Sequence, residues 1–275
     1  MFYLGKYGTI IVYVLLFIYC MINLFPLFLI FMNSFKTMRD IFLKPFSFLI
    51  TPSFQNYLDA WNQGSLGTGF LNSALIGAIS VIVVVLISSM FAYAISRYEF
   101  PGRQTLYMYC IFGLALPLRL AVIPIYNLMQ GLGLTNSRLG LIIFYIAVNI
   151  AFSVFLLKNF MDEIPKEIEE AAIIDGANSF QIYWGIILPL IKPILSIVSI
   201  VCFTNVWNDF FFPLVLINDK SKVTMTLAVT IFVGEYTTKW DLLFAGLSLA
   251  MMPSIVIFLL FSKQFIAGMT QGAIK

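Results

Sequence analysis

The sequence contains no histidine and little charge of either sign. Without imidazole there is no His-ligated metal site, no Ser-His or Cys-His nucleophilic dyad and no imidazole proton relay. Asp, Glu, Lys and Arg make up 11% of the 275 residues, against roughly 25% in a soluble domain. Apolar side chains make up 61%, and mean hydropathy is +0.96. A globule with so few polar groups could not cover its surface in water, so its solvent is lipid. The net charge of +3 comes from scattered Lys and Arg and offers no basic stripe to a nucleic acid. Cys20, Cys110 and Cys202 each lie in an apolar run; an odd set makes no disulfide framework and reads as small core residues. No H-E-x-x-H motif is present, which counts against a membrane-embedded enzyme. A G-x-x-x-x-G-K-[ST] phosphate loop is also missing, so this chain is not expected to hydrolyse ATP.

What is present is a set of long apolar runs. A helix needs roughly 20 apolar residues to cross the hydrocarbon core. Six stretches qualify: 9–32, 70–96, 104–130, 139–157, 193–218 and 242–262. Arg119 is the one charge in the third and Asp209 the one charge in the fifth. A seventh run, 223–233, is too short to span and reads as a piece packed on the bundle. The first stretch exceeds a signal-peptide core and lacks a small-x-small cleavage site, so it reads as an uncleaved anchor. The expectation is an all-α, polytopic membrane protein: one transmembrane domain over 1–275, with six transmembrane helices. Six crossings put both termini on one side. Basic residues outside the spans divide eight against seven between the two sides, which leaves orientation open.

Residues 158–192 break the membrane pattern, holding six of the chain's 13 acidic residues. Pro165 suits a first helical turn, and the acids after it favour the positive end of the helix. Ile164, Ile168, Ala171 and Ala172 recur at helical spacing, Gly176 can end that helix at positive φ, and Asn178 with Gln181 spells a capping box for a second one. Pro189 and Pro193 are expected to end the second helix and lead into the fifth span. The picture is helix, glycine turn, helix, outside the membrane.

Glu170-Ala171-Ala172-x-x-x-Gly176, nine residues, then Ile186-x-Leu188-Pro189 resembles the EAA loop of ABC importer permeases. Further matches are 52–57 (PSFQNY), 70–73 (FLNS), 92–97 (AYAISR) with Phe100-Pro101-Gly102, Trp207-Asn208-Asp209 and the tail 263–275. Together they resemble the carbohydrate branch of these proteins, at the second permease subunit of maltose-type systems. The resemblance implies a type I importer permease fold in the bacterial cytoplasmic membrane, with both termini cytoplasmic. It also implies a second homologous permease, two ATPase subunits, an extracytoplasmic sugar-binding protein and a sugar or sugar-derivative substrate. No cofactor would be held by this chain, because ATP and Mg would be used by the partner ATPase. Glu169, Glu170, Ala171, Ala172, Asp175, Gly176, Ile186, Leu188 and Pro189 would then form the ATPase-coupling loop.

Uncharged sugars are handled by hydrogen-bonding side chains and aromatic faces. Arg119 in the third span, Asn149 and Ser153 one turn apart in the fourth, and Asn205, Trp207, Asn208 and Asp209 in the fifth are the candidates for the path. A charge in a span is costly, so each should face the bundle or a wet cavity. The same Asn and Ser residues would serve equally as interhelical hydrogen-bonding groups. Arg119 and Asp209 lie at similar expected depth with opposite sign, which suggests an ion pair; solvation of each in a cavity is the alternative. An ATP-independent channel or carrier is the rival from another class, and it would have no use for a docking loop.

Overall fold

The computed structural model describes residues 6–48, 52–234 and 236–271, with side chains for 7–48, 52–234 and 236–261. The resembling tail 263–275 lies outside the described residues from 272 onward. The chain opens with α1 (Lys6–Asn33), α2 (Met38–Leu43), α3 (Gln55–Gln63) and α4 (Leu66–Arg97). Next come α5 (Arg103–Ala115), α6 (Val122–Gly131), α7 (Arg138–Asp162), α8 (Glu167–Ile174), α9 (Ser179–Ile182), a π turn at Tyr183–Ile187 and α10 (Leu188–Leu190). The last third holds α11 (Lys192–Asn208), α12 (Phe211–Leu216), α13 (Met225–Val229) with a 3₁₀ turn at Thr230–Phe232, and α14 (Trp240–Gln271). Among the described residues no strand forms, and one isolated bridge joins Val233 to Thr238. The architecture is helical, as expected.

Among the described residues four segments are singly long and apolar enough to cross a membrane: Tyr7–Asn33, Leu66–Arg97, Arg138–Asp162 and Trp240–Phe261. The third and fifth apolar stretches are not single helices. α5 and α6 have 13 and 10 residues, about 20 and 15 Å at 1.5 Å per residue, and neither alone reaches across a core of about 30 Å. The interval 116–121 between them carries Pro117, whose missing amide and ring disfavour a continuous helix there. α11 stops at Asn208, Asp209 turns extended at φ −71° and ψ 125°, and α12 begins at Phe211. The Asp209 carboxylate accepts the Phe211 amide at 3.0 Å, a local bond that competes with the helical one. Six crossings are compatible with this arrangement, two of them assembled from pieces.

The chain divides into two compact units, Met1–Gly67 with Ala228–Met252, and Thr68–Leu227 with Pro253–Lys275. In the first, the buried Asn56 amide donates to the carbonyls of Ser34 and Lys36 at 2.9 and 2.8 Å. The Tyr57 hydroxyl meets Ser34 Oγ at 2.6 Å, and the Phe35 ring packs on Phe54 and Tyr57. Lys36 is buried as well; its Nζ donates to the carbonyls of Lys44 and Pro45 just past α2, and burial holds its pKa below the usual lysine range. The stretch 52–57 thus has a structural task of its own. Among the described residues α1 packs little, with none of its apolar window buried.

In the second unit one apolar cluster gathers Val84, Ala92 and Tyr93 of α4, Leu157 and Met161 of α7, and Ile187, Ile191 and Val198. A second joins Ile76, Leu141, Phe144, Tyr145, Val206, Phe212 and Leu216. The connection after α12 is tied down by side chains. Asn72 Nδ2 donates to the carbonyls of Ser221 and Val223, and the Met225 amide donates to Ser73 Oγ. Asn136, left-handed at φ 51°, accepts the amides of Asn218 and Asp219 on Oδ1. In the stretch 70–73 the polar pair Asn72 and Ser73 is thus the buried clamp, while Phe70 packs on the Trp207 ring and Leu71 is exposed.

Candidate functional site

The polar segment after α7 folds as helix, glycine turn, helix. α8 ends in a Schellman arrangement: Ala177 donates to the Ala172 carbonyl at 2.9 Å, Gly176 to the Ile173 carbonyl at 3.0 Å, and Gly176 has φ +83°. Asn178 and Gln181 form the capping box in both directions, at 3.0 and 2.9 Å. The helix does not stop at Pro189. Leu188 donates to the Tyr183 carbonyl five residues back, so the register slips just ahead of the proline and the helix continues to Leu190. The turn falls at Ile191, where Ser179–Leu190 and Lys192–Asn208 meet at 74°. Pro193 sits in the first turn of α11, where its missing amide costs nothing.

The two alanines of the motif part company. Ala172 is buried against the cluster that holds Met161 and Tyr183, whereas Ala171 is exposed beside Glu170. One step along a helix is a 100° turn, so adjacent residues cannot share the centre of one face. The open face of α8 carries Glu167, Glu170, Ala171, Ile173 and Ile174, the last 86% exposed. Asp175 and Gly176 are exposed at its end, Pro189 is exposed further on, and Ile186 and Leu188 are half-buried against the core. Glu169 points inward. Its Oε1 accepts Arg97 Nε, its Oε2 accepts the Tyr93 hydroxyl at 3.2 Å, and Arg97 also donates to the Ile164 carbonyl at 3.0 Å. Ser96 donates to Asp162, which pairs in turn with Lys158.

The second polar region is a cavity of about 560 Å³ inside the second unit. Arg119, from the break between α5 and α6, and Asp209 and Phe210, from the break between α11 and α12, both line it. Asn149, Tyr145 and Phe144 of α7 and Thr204, Asn205 and Asn208 of α11 complete most of the wall. Irregular backbone at membrane depth is tolerated where it lines such a space, because its freed polar groups can meet water or ligand. The Tyr145 hydroxyl donates to Asp209 Oδ2 at 2.9 Å, and Thr226 donates to the Asp209 carbonyl at 2.7 Å. Asn205 Nδ2 donates to Asn149 Oδ1 at 3.2 Å, and Ser254 donates to Asn208 Oδ1 at 3.2 Å.

Five of the seven path candidates named from sequence, Arg119, Asn149, Asn205, Asn208 and Asp209, line this cavity. Trp207 and Ser153 do not. Trp207 is 1% exposed and packs its ring against Phe70 and Phe203. Ser153 is fully buried and spends its hydroxyl on the Asn149 carbonyl at 2.7 Å. Arg119 and Asp209 share the cavity without an ion pair between them, the Asp209 carboxylate being taken by Tyr145 and the Phe211 amide. Sequence reasoning missed Tyr145 and Thr204. Tyr145 sits one turn before Asn149, a spacing that could have flagged it.

Residues 84–271 match the family model described as the binding-protein-dependent transport system inner membrane component. The chain belongs to that family. It is 35% identical to the probable ABC transporter permease protein YurM of Bacillus subtilis, covering 98% of this chain and 89% of that one. It is 32% identical to the diacetylchitobiose uptake system permease protein NgcG of Streptomyces coelicolor, over 95% and 87%. It is likewise 32% identical to the melibiose/raffinose/stachyose import permease protein MelC of Bacillus subtilis, over 91% of each. A chain in the crystal structure of a bacterial ABC transporter for import of the acidic polysaccharide alginate superposes with a TM-score of 0.83, at 24% identity over 96% of this chain and 99% of that one. The fold is therefore that of an ABC importer permease. This is a multi-pass membrane permease subunit and not an enzyme.

Proposed function

We propose that this chain is one of two permease subunits of an ATP-driven sugar importer, forming half of the translocation path. In this reading 158–192 is the coupling loop that docks on one of two ATPase subunits from the cytoplasm, with both termini on that side. An extracytoplasmic binding protein delivers an oligosaccharide or sugar derivative. The observation that carries the reading is the open face of α8: a short acidic and apolar surface with Ala171 at its middle, on a helix whose opposite face is buried. Small and apolar groups let a partner surface approach closely, and Glu170 and Asp175 suit basic groups at its rim.

The cavity supports the substrate class. Asn149, Thr204, Asn205 and Asn208 offer donors and acceptors suited to hydroxyl groups, and Phe144, Tyr145 and Phe210 offer ring faces. Several relatives carry names of sugar systems: diacetylchitobiose, melibiose/raffinose/stachyose and arabinooligosaccharides.

Reconstitution tests this directly. The chain alone in liposomes should neither hydrolyse ATP nor accumulate labelled melibiose, raffinose or diacetylchitobiose. With the second permease, the ATPase and the binding protein, at least one of the three should accumulate against its gradient when ATP is present. Uphill uptake by the single chain would sink the proposal.

A further inference from the structure

The last three turns of α4 are bonded to the coupling segment at several points. Arg97, the final residue of α4, holds Glu169 of α8 and the Ile164 carbonyl that leads into α8. Tyr93, one turn earlier, donates to the other oxygen of Glu169 and lays its ring 5.3 Å from that of Tyr183. Tyr183 opens the π turn, and its hydroxyl meets Ser89, one more turn up α4, at 2.7 Å. Both limbs of the loop are thus tied to one helix, and that helix is long enough to cross the membrane.

We infer that Arg97 and Glu169 form a strut that carries displacement of α8 into α4. Glu169 belongs in sequence to the acidic cluster, yet it acts inward as a positioning residue and not on the surface a partner meets. Both side chains are nearly buried, 7% exposed for Arg97 and 11% for Glu169. The other acids of α8, Glu167 and Glu170, are exposed. In a low-dielectric setting a charge pair resists separation far more than a surface pair does, so two elements joined by one tend to move together. A two-point grip on the carboxylate, with a guanidinium on one oxygen and a phenol on the other, also fixes its direction. The inference rests on the proposed coupling role of 158–192.

The test uses the complete reconstituted complex carrying Glu169→Gln, Arg97→Gln, or both, with Glu170→Gln as the control on the open face. Three quantities are measured: ATPase subunit retained on purification, ATP hydrolysis stimulated by the binding protein, and labelled panel sugar taken up per ATP. The strut variants should keep the ATPase subunit yet lose about tenfold in uptake per ATP, and the double variant should be no worse than the singles. Tyr93→Phe, which removes one hydroxyl and leaves the ion pair, should lose two- to threefold. It decides the matter if the Gln variant chains themselves fail to fold into the membrane, because unchanged uptake per ATP in Tyr93→Phe overturns the inference. So does loss of the ATPase subunit in Glu169→Gln, which would put Glu169 on the docking surface. If Glu170→Gln sheds the ATPase while the strut variants stay coupled, the strut alone fails. If no variant, Glu170→Gln included, changes any of the three, the coupling role of the segment fails with it.

Discussion

In the segment 158–192 the polar groups are neighbours in sequence, whereas those of the cavity come from three separated stretches around Arg119, Tyr145 to Asn149 and Thr204 to Phe212. Local order therefore does most of the work in the first and almost none in the second. The glycine turn and capping box each close within a few residues and depend on residue type at fixed offsets. The cavity exists because two helices break, at 116–121 and at Asp209, and because α7 faces both breaks. A segment built locally should respond to a substitution according to which face of its own short helix is hit. A cavity built from remote pieces should respond according to which partner each group has found.

The largest expected contrast is between the two alanines of α8. Ala172→Asp puts an unpaired carboxylate into the cluster with Met161 and Tyr183, and burial of a charge without a partner costs several kcal/mol. The variant chain should be lost from the membrane or recovered aggregated. Ala171→Asp, on the open face, should leave folding within about 0.5 kcal/mol and weaken ATPase association. Size-exclusion profiles of the two variants in detergent, followed by retention of the ATPase subunit, separate the outcomes. Equal behaviour would mean that the two faces are not distinct.

Gly176 comes next. A Cβ there would meet nothing within 4 Å, so the penalty for Gly176→Val arises from φ +83° alone. A β-branched residue at positive φ costs about 1–3 kcal/mol. The spans are untouched, so insertion should be normal, while α8 is misdirected and hydrolysis runs ahead of uptake. A residue that tolerates the left-handed region should hurt less, so Gly176→Asn should retain most coupling. Equal damage from Val and Asn would move the cause from backbone to surface contact.

The same comparison explains what was legible. Composition and run length were enough for a helical membrane protein, because lipid leaves few other solutions. The helix, turn and capping box of 158–192 were readable because each is specified by adjacent residues. The inward direction of Glu169 was not, since it depends on Arg97 and Tyr93 at a sequence distance of more than 70 residues. Trp207 and Asn208 are adjacent in sequence, yet one packs between rings and the other lines the cavity. Helical rotation relative to an unseen neighbour decides between them. The helix breaks had a signal in Pro117 but were masked elsewhere: α11 ends through the Asp209 carboxylate, a local bond that hydropathy cannot register. Pro189 misled for the opposite reason, because a π turn absorbs it.

The smallest effect tests what Asp209 has as a partner. Depth and sign suggest Arg119, but the structure joins Asp209 to Tyr145 at 2.9 Å and leaves Arg119 elsewhere on the wall. Two double-mutant cycles on uptake rate distinguish these. Tyr145→Phe with Asp209→Ala should be less than additive by about 1 kcal/mol, the usual net value of such a hydrogen bond and roughly fivefold in rate. Arg119→Ala with Asp209→Ala should be additive to within about 0.5 kcal/mol, as expected of groups that share a wet cavity but not a contact. The reverse pattern, strong coupling to Arg119 and none to Tyr145, would mean that the two charges close on each other during transport. The cavity would then be a gate held by an ion pair and not a polar path of independent side chains. An aromatic hydroxyl on a carboxylate survives changes of salt better than an exposed charge pair does. Repeating both cycles at about 0.5 M salt should accordingly leave the Tyr145 coupling unchanged while erasing any residual coupling of Arg119.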